Sequence, residues 1–237
     1  MIIKTNPDEF ENFVVDASNF KGNCEAVYFP ENIEEVISIV KGANTNKTKV
    51  TIAGNGTGLT GARVPQNGIV IATDKLNKIL EINPTEFYAL IEPAVLLSDF
   101  QKELKQQNLF YPPDPTETNC YIGGTVATNA SGAKTFKYGP TRDYVIGLQV
   151  ILPDGEVLDL ERGKQKAIGY DLTLTTQSGK IISLQIPDYT FPAVKNASGY
   201  FVKKDMDAID LFIGSEGTLG IITKIKLKLL PQPEVTI

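Results

Sequence analysis

Apolar residues fall into alternating strand and helix periods along the first hundred positions. Ala26-Val27-Tyr28-Phe29 reads as a short strand closed by Pro30. Asn32 follows as a helix N-cap, with Glu35 three residues on as in a capping box. Ile33, Val36, Ile37 and Val40 then recur at i, i+3, i+4 and i+7, and Gly42 marks the expected helix end. Lys49–Ala53 reads as the next strand and Gly68–Thr73 as another, making β-α-β. A second helix is expected from Ser98, as N-cap with Gln101 closing its box, to Gln107, burying Phe100 and Leu104. Val145–Leu152, the turn Pro153-Asp154-Gly155 and Glu156–Leu160 form a hairpin signal. Residues 161–198 read as an irregular run of short strands. In the final strand Thr223, Ile225, Leu227 and Leu229 alternate with Lys224, Lys226 and Lys228. Period-2 spacing makes that basic run the solvated face of a half-buried strand rather than a nucleic-acid patch.

Between these elements lie stretches too rich in small residues to pack a core. Gly54-Asn55-Gly56-Thr57-Gly58-Leu59-Thr60-Gly61 follows a strand directly. Glycine there lets backbone approach a ligand, and successive N–H groups form an anion cradle without any charged side chain. The spacing Gly56-x-Gly58-x-x-Gly61 matches the dinucleotide fingerprint in form only. Its third glycine should open a helix, but Ala62-Arg63-Val64-Pro65-Gln66-Asn67-Gly68 leaves no room for one. A P-loop would need Lys and Ser/Thr where Ala62 and Arg63 stand. A tight turn without a ligand remains open on this loop alone. However, Gly123–Ala133 and Gly214–Gly220 are two further small-residue segments. Three such segments, far apart in sequence, suit one extended ligand held by backbone along its length, as a dinucleotide would be. The intervening Tyr111-Pro112-Pro113-Asp114-Pro115 cannot be helical.

Composition then removes whole classes of chemistry. The 237-residue chain has no histidine. That excludes Ser-His-Asp and Cys-His nucleophiles, imidazole zinc sites and a His general base. A net charge of −5, with basic residues dispersed, argues against nucleic acid as a partner. No apolar run approaches the ~18 residues of a membrane span, and no signal-peptide core opens the chain. Cys24 and Cys120 match no metal or redox spacing. A cytoplasmic, reducing setting is the expectation.

Taken in order, these motifs resemble the FAD-binding domain of the flavoprotein family that includes vanillyl-alcohol oxidase and p-cresol methylhydroxylase. Within it they are most similar to D-lactate dehydrogenase and the FAD subunit of glycolate oxidase. Gly54–Gly61 corresponds to that family's pyrophosphate loop, although Ala53 stands where an arginine is usual. Pro112–Pro115, Cys120–Gly124 and Asn129–Gly132 match the stretch that wraps the flavin and ribityl chain. Lys137–Asp143, Lys195–Tyr200 and Gly214–Thr223 complete the series.

The resemblance implies an α+β, two-subdomain fold of p-cresol methylhydroxylase type, with a β-α-β subdomain over residues 1–90 and a larger mixed-sheet subdomain over 91–237. It implies non-covalent FAD, contacted by residues 54–61 and by Pro113, Asp114, Ile122, Gly123, Gly124, Thr128, Asn129, Ser131, Gly132, Tyr138, Glu216, Gly217, Gly220, Ile221 and Ile222. A histidine tether is impossible here, and Cys120 is read as a packing residue rather than a tether. The implied reaction passes hydride from a small 2-hydroxy acid to the flavin. Arg63, Arg142, Arg162 and Lys134 are candidates for the substrate carboxylate, each more readily a structural charge. Tyr200, like Tyr138, is either near the flavin or packed. Glu216 caps its loop more readily than it acts as a base. No residue is named as catalytic. The family's substrate or cap domain is expected to lie beyond Ile237 or on a partner subunit. Two alternatives are a non-catalytic flavin or electron-transfer subunit, and a reductase of UDP-N-acetylenolpyruvoylglucosamine type. Gly56 is expected to face phosphate, so that valine there would block the ligand and spare the fold.

Overall fold

The computed structural model describes residues 1–192, 194 and 196–234, and the α+β expectation holds. Lys195 and the chain end at Ile237 lie outside the described residues. The first sheet contains β1 (Ile2–Lys4) and β2 (Ala26–Phe29), followed by helix α1 (Ile33–Asn46), β3 (Val50–Ala53) and β4 (Ile69–Ala72), in the order β1-β2-β4-β3. Only the β1–β2 pair is antiparallel. Strand alternation divides two cores: Ala26, Ile69 and Ile71 face α1, whereas Val27, Phe29, Val70 and Ala72 face Phe10 on the other side.

The Asn32 side chain accepts from the Glu35 N–H at 2.9 Å, as expected of an N-cap. Glu35 returns its carboxylate to Glu31 rather than to Asn32, so the capping box is displaced by one residue. The helix also runs past Gly42 and ends at Lys47, in the left-handed region at φ 55°. Ala43, one position beyond the glycine, is buried in the core with Val36, Ile39 and Val40 and extends the apolar stripe that the helix follows.

The second sheet has order β5-β6-β12-β8-β9 and is antiparallel throughout. It begins with β5 (Ile79–Asn83) and β6 (Tyr88–Ile91), so the two sheets part between residues 73 and 78, ahead of the expected division near 90. Helix α2 (Leu97–Gln106) and the short strand β7 (Leu109–Phe110) follow, then α3 (Ile122–Ala127) and α4 (Thr135–Tyr138). Leu96, not Ser98, caps α2, and no side chain closes a box there. Its leading N–H groups, Leu97 and Ser98, donate instead to the Cys120 and Thr118 carbonyls. In return, Ile122 and Gly123 at the start of α3 donate to Val95 and Pro93. Each helix start is thus satisfied by the other's lead-in backbone.

Hairpin β8 (Val145–Ile151) to β9 (Val157–Glu161) forms as the sequence indicates. The irregular region contains a separate hairpin, β10 (Asp171–Thr175) and β11 (Ile181–Gln185), in which Leu172 and Leu174 reach the main core. Helix α5 (Ile209–Phe212) precedes β12 (Ile221–Lys228), and β13 (Leu230–Pro231) pairs with β7. In β12, Thr223, Ile225 and Leu227 are buried while Lys224 and Lys226 are half-exposed and Lys228 exposed, as the alternation requires. Ile151, Val157 and Ile221 of the second sheet join the α1 core, so the two sheets share apolar packing.

Candidate functional site

Parallel neighbours usually need a helical crossover. Here β3 and β4 pair in parallel, yet residues 54–68 join them with no helix. That connection contains the glycine loop, and the absence of a helix disposes of the Rossmann alternative. Among the described residues, none of the backbone N–H groups from Asn55 to Gly61 donates to another group of the chain. An unpaired run of this length is an anion cradle in chemical terms.

Residues 12–22 wrap the outside of the loop. Arg63 donates Nε to the Val15 carbonyl at 3.1 Å, Nη1 to Gly54 and Nη2 to Asn12, and its guanidinium lies 5.3 Å from the Phe13 ring centroid. Ala17 N–H donates to the Gly56 carbonyl at 3.1 Å. Nothing periodic marks this wrap in the sequence. Gly56 adopts φ +74°, and a Cβ there would come within 2.7 Å of Arg63 Cζ. Gly56 therefore accommodates the protein itself, and a valine would strain the fold, contrary to expectation. Gly58 differs: its φ is ordinary, and an added Cβ would meet only Asp16 Oδ2 at 3.8 Å.

The three small-residue segments come together. The Asn55 side-chain amide donates to the Asn119 carbonyl at 2.6 Å, and the Tyr121 ring lies beside Gly54. Gly214 and Glu216 donate their N–H groups to Val126 and Ala127 at 3.0 and 2.9 Å, which attaches the third segment to the second. Gly217 closes the ring against β3, where an added Cβ would sit 3.1 Å from Ile52 Cγ1. Gly132 is held so near the Asp114 carbonyl that any Cβ would overlap it, which places Pro113-Asp114 against the second segment. Gly124, by contrast, has nothing within 4 Å of a Cβ.

The remaining predicted residues have diverse surroundings. Thr128 donates to the Gly124 carbonyl, and Asn129 accepts from the Arg142 N–H at 3.0 Å. Ser131 is half-buried, one residue before the Gly132 contact. The Ile122 and Ile221 side chains are buried in the cores, leaving only their backbone for a ligand, and Ile222 is half-buried beside Gly220. Glu216 is exposed, with φ 51°. Tyr138 stacks edge-on with Phe110 at 5.5 Å and gives its carbonyl to the Tyr144 hydroxyl, so it is a packed aromatic. Tyr200 instead places its hydroxyl 2.7 Å from Thr218 Oγ1 on the third segment.

All three arginines are committed to internal contacts. Arg142 and Arg162 converge on Asp210, each with a contact of 3.0 Å to Oδ1. Arg142 also donates to the Asp210 and Ile213 carbonyls, both at 2.6 Å, which anchors the start of the third segment. Lys134 pairs with Asp114 at 2.9 Å. The structural reading of these four cations is the one their contacts support. Cys120 is buried in the main core, and burial pushes its thiol up to about 11. A thiol held protonated is a packing group rather than a nucleophile. Beneath the loop, Tyr121 donates to Asp74 Oδ1 at 3.4 Å, while Asp74 Oδ2 is buried without a partner. Burial pushes the Asp74 carboxyl above its ordinary range, against the pull of its own backbone N–H, Arg63 and Tyr121.

The site thus offers unpaired backbone donors on one loop, joined to two further glycine-rich segments. The FAD binding domain family matches residues 24–161, and the chain belongs to that family. It is 38% identical to a D-lactate dehydrogenase of Anaerostipes hadrus over 96% of its length and 41% of that protein's. It is 34% identical to glycolate oxidase subunit GlcD of Bacillus subtilis, covering 99% of this chain and 44% of that one. The chain therefore spans less than half the length of these relatives. In three dimensions it superposes on alkyldihydroxyacetonephosphate synthase with a TM-score of 0.71 at 21% identity, covering 98% of this chain and 41% of the other. The fold is of the p-cresol methylhydroxylase type, and the cofactor is FAD. The unpaired N–H run fits a diphosphate, and the open space at Gly124 leaves room for a ligand against the second segment.

Proposed function

We propose that this chain is the FAD-holding part of an oxidoreductase that oxidises a small D-2-hydroxy acid of the D-lactate or glycolate type. Relatives named D-lactate dehydrogenase, glycolate oxidase subunit and D-2-hydroxyglutarate dehydrogenase support the substrate class. The observation that carries the reading is the meeting of three glycine-rich segments around an unpaired run of backbone donors. Bound FAD would supply the two-electron acceptor for the substrate's hydride. Residues 55–61 hold the diphosphate by backbone N–H groups. The second and third segments, through Gly123-Gly124, Asn129–Gly132 and Glu216–Ile222, line the rest of the ligand, and Cys120 packs beneath it without a covalent bond.

The three arginines and Lys134 are engaged in internal contacts and the chain has no histidine, which supports a base and a substrate-carboxylate cation supplied by a further domain or a partner subunit. Two free cysteines accord with a reducing cytoplasm, and no helix among the described residues is long and apolar enough to cross a membrane. Titrating the purified chain with FAD and following flavin fluorescence tests the binding. Absence of a saturable change disproves it. D-Lactate or glycolate added anaerobically to the loaded chain tests the chemistry: bleaching by the isolated chain would show that the base resides in these residues after all.

A further inference from the structure

Arg63 stands directly beneath the glycine loop, and its contacts organise more than packing. Its guanidinium binds the carbonyls of Asn12, Val15 and Gly54 and occupies the space that a side chain on Gly56 would fill. A trans peptide is planar, so its C=O and N–H point in opposite directions. Holding the Gly54 carbonyl on Arg63 therefore turns the Asn55 N–H to the other side of the loop. The Ala17 N–H does the same for the next-but-one peptide by holding the Gly56 carbonyl, which turns the Thr57 N–H outward. Two of the unpaired donors thus owe their direction to groups on the opposite face.

The charge around the loop gives the same residue a second task. Asp16 and Asp74 are the carboxylates that act on Arg63. Asp16 Oδ2 would lie 3.8 Å from a Cβ on Gly58, and Asp74 follows the end of β4. Ala53, at the end of β3, is buried and carries no charge. Lys75 also acts on Asp74, but without the guanidinium an anionic ligand on this loop would meet two negative groups with one fewer positive charge to offset them. Burial strengthens every such interaction by lowering the local dielectric.

We propose that Arg63 is the positioning residue of the diphosphate site: it orients the cradle from below and supplies the positive charge that offsets Asp16 and Asp74. This rests on the FAD reading above. The two are separated by one set of titrations on the full chain, using FAD as the probe and varying sodium chloride. If wild-type protein does not bind FAD, the cofactor reading itself fails. If it binds, Arg63→Gln should weaken FAD by roughly 10- to 100-fold and flatten the rise of Kd with salt. Arg63→Lys, which keeps the charge but cannot serve three carbonyls in one fork, should fall between. Asp74→Asn should tighten FAD severalfold, a change of sign that lost packing cannot produce. Wild-type affinity and salt slope in Arg63→Gln would overturn the proposal. Should that variant not fold, an unchanged or weakened affinity in Asp74→Asn overturns it alone.

Discussion

The side-chain amide of Asn55 donates to the main-chain carbonyl of Asn119 across 2.6 Å, joining the glycine loop to the stretch that leads into the second small-residue segment, 64 residues on in sequence. This bond sets the first loop against the start of α3, whose N-terminal backbone is in turn held by residues 93–95. Asn55→Ala should leave melting nearly unchanged, because the bond is exposed. It should weaken FAD about fivefold, the worth of one neutral hydrogen bond. A flavin fluorescence titration beside a thermal melt measures both.

Gly56 and Gly58 should part company on substitution. Gly56→Val places a branched side chain into Arg63 at a left-handed backbone position, at a cost of about 1–3 kcal/mol for the strain alone. Gly58→Val meets ordinary contacts inside the protein, so the apoprotein should melt normally while FAD affinity drops about tenfold or more. Urea unfolding of both apoproteins is the check, and equal destabilisation would contradict the assignment.

Gly124 makes a sharper probe, since it lies in a helix with open space at its Cβ. Gly124→Ala should stabilise the apoprotein by about 0.5–1 kcal/mol through helix propensity. If the second segment faces FAD, the same methyl group should weaken binding. A stabilised variant with wild-type FAD affinity would remove Gly124 from the site.

Asp210 sits between two guanidiniums with its side chain only 12% exposed, so removing it strands buried positive charge. Asp210→Ala should cost about 3–5 kcal/mol in urea denaturation. It should also loosen the third segment, because Arg142 reaches Ile213 from the same cluster.

Cys120 provides a pH test. Its thiol is raised from 9.0 in the unfolded chain to about 11 in the fold, so the folded state disfavours the thiolate. The resulting stabilisation is complete below pH 9 and is lost as pH climbs through 11. In the native protein at pH 8, a thiol reagent should label half-exposed Cys24 and spare Cys120. Acid precipitation of the loaded protein should release all flavin into the supernatant.

Local patterns reveal much of this fold, and their failures have physical causes. The alternation in β12 and the stripe on α1 are visible because one face of each is buried. The start of α2 is not, because Leu97 and Ser98 are satisfied by the Cys120 and Thr118 carbonyls, a tertiary contact that leaves no capping residue to read. The sheet to which β5 and β6 belong is not legible locally for a similar reason: it is decided by β12, whose pairing with β6 spans well over a hundred residues. Glycine spacing marks the three site segments, but not which glycines serve ligand and which serve the protein. Gly56 and Gly132 are filled from within by Arg63 and by the Asp114 backbone, and that distinction exists only in three dimensions.

The central place of β12 also bears on how the molecule comes into being. A ribosome would finish the pieces around the glycine loop while β6 and β8 still lacked the strand that belongs between them. Both would present bare hydrogen-bonding edges throughout the synthesis of everything from β8 to α5. Unpaired edges of that kind recruit other chains, and pairing across such separations is intrinsically slow. The strand that closes the larger sheet is therefore made long after the neighbours it joins, and its arrival sets how long the nascent chain stays vulnerable.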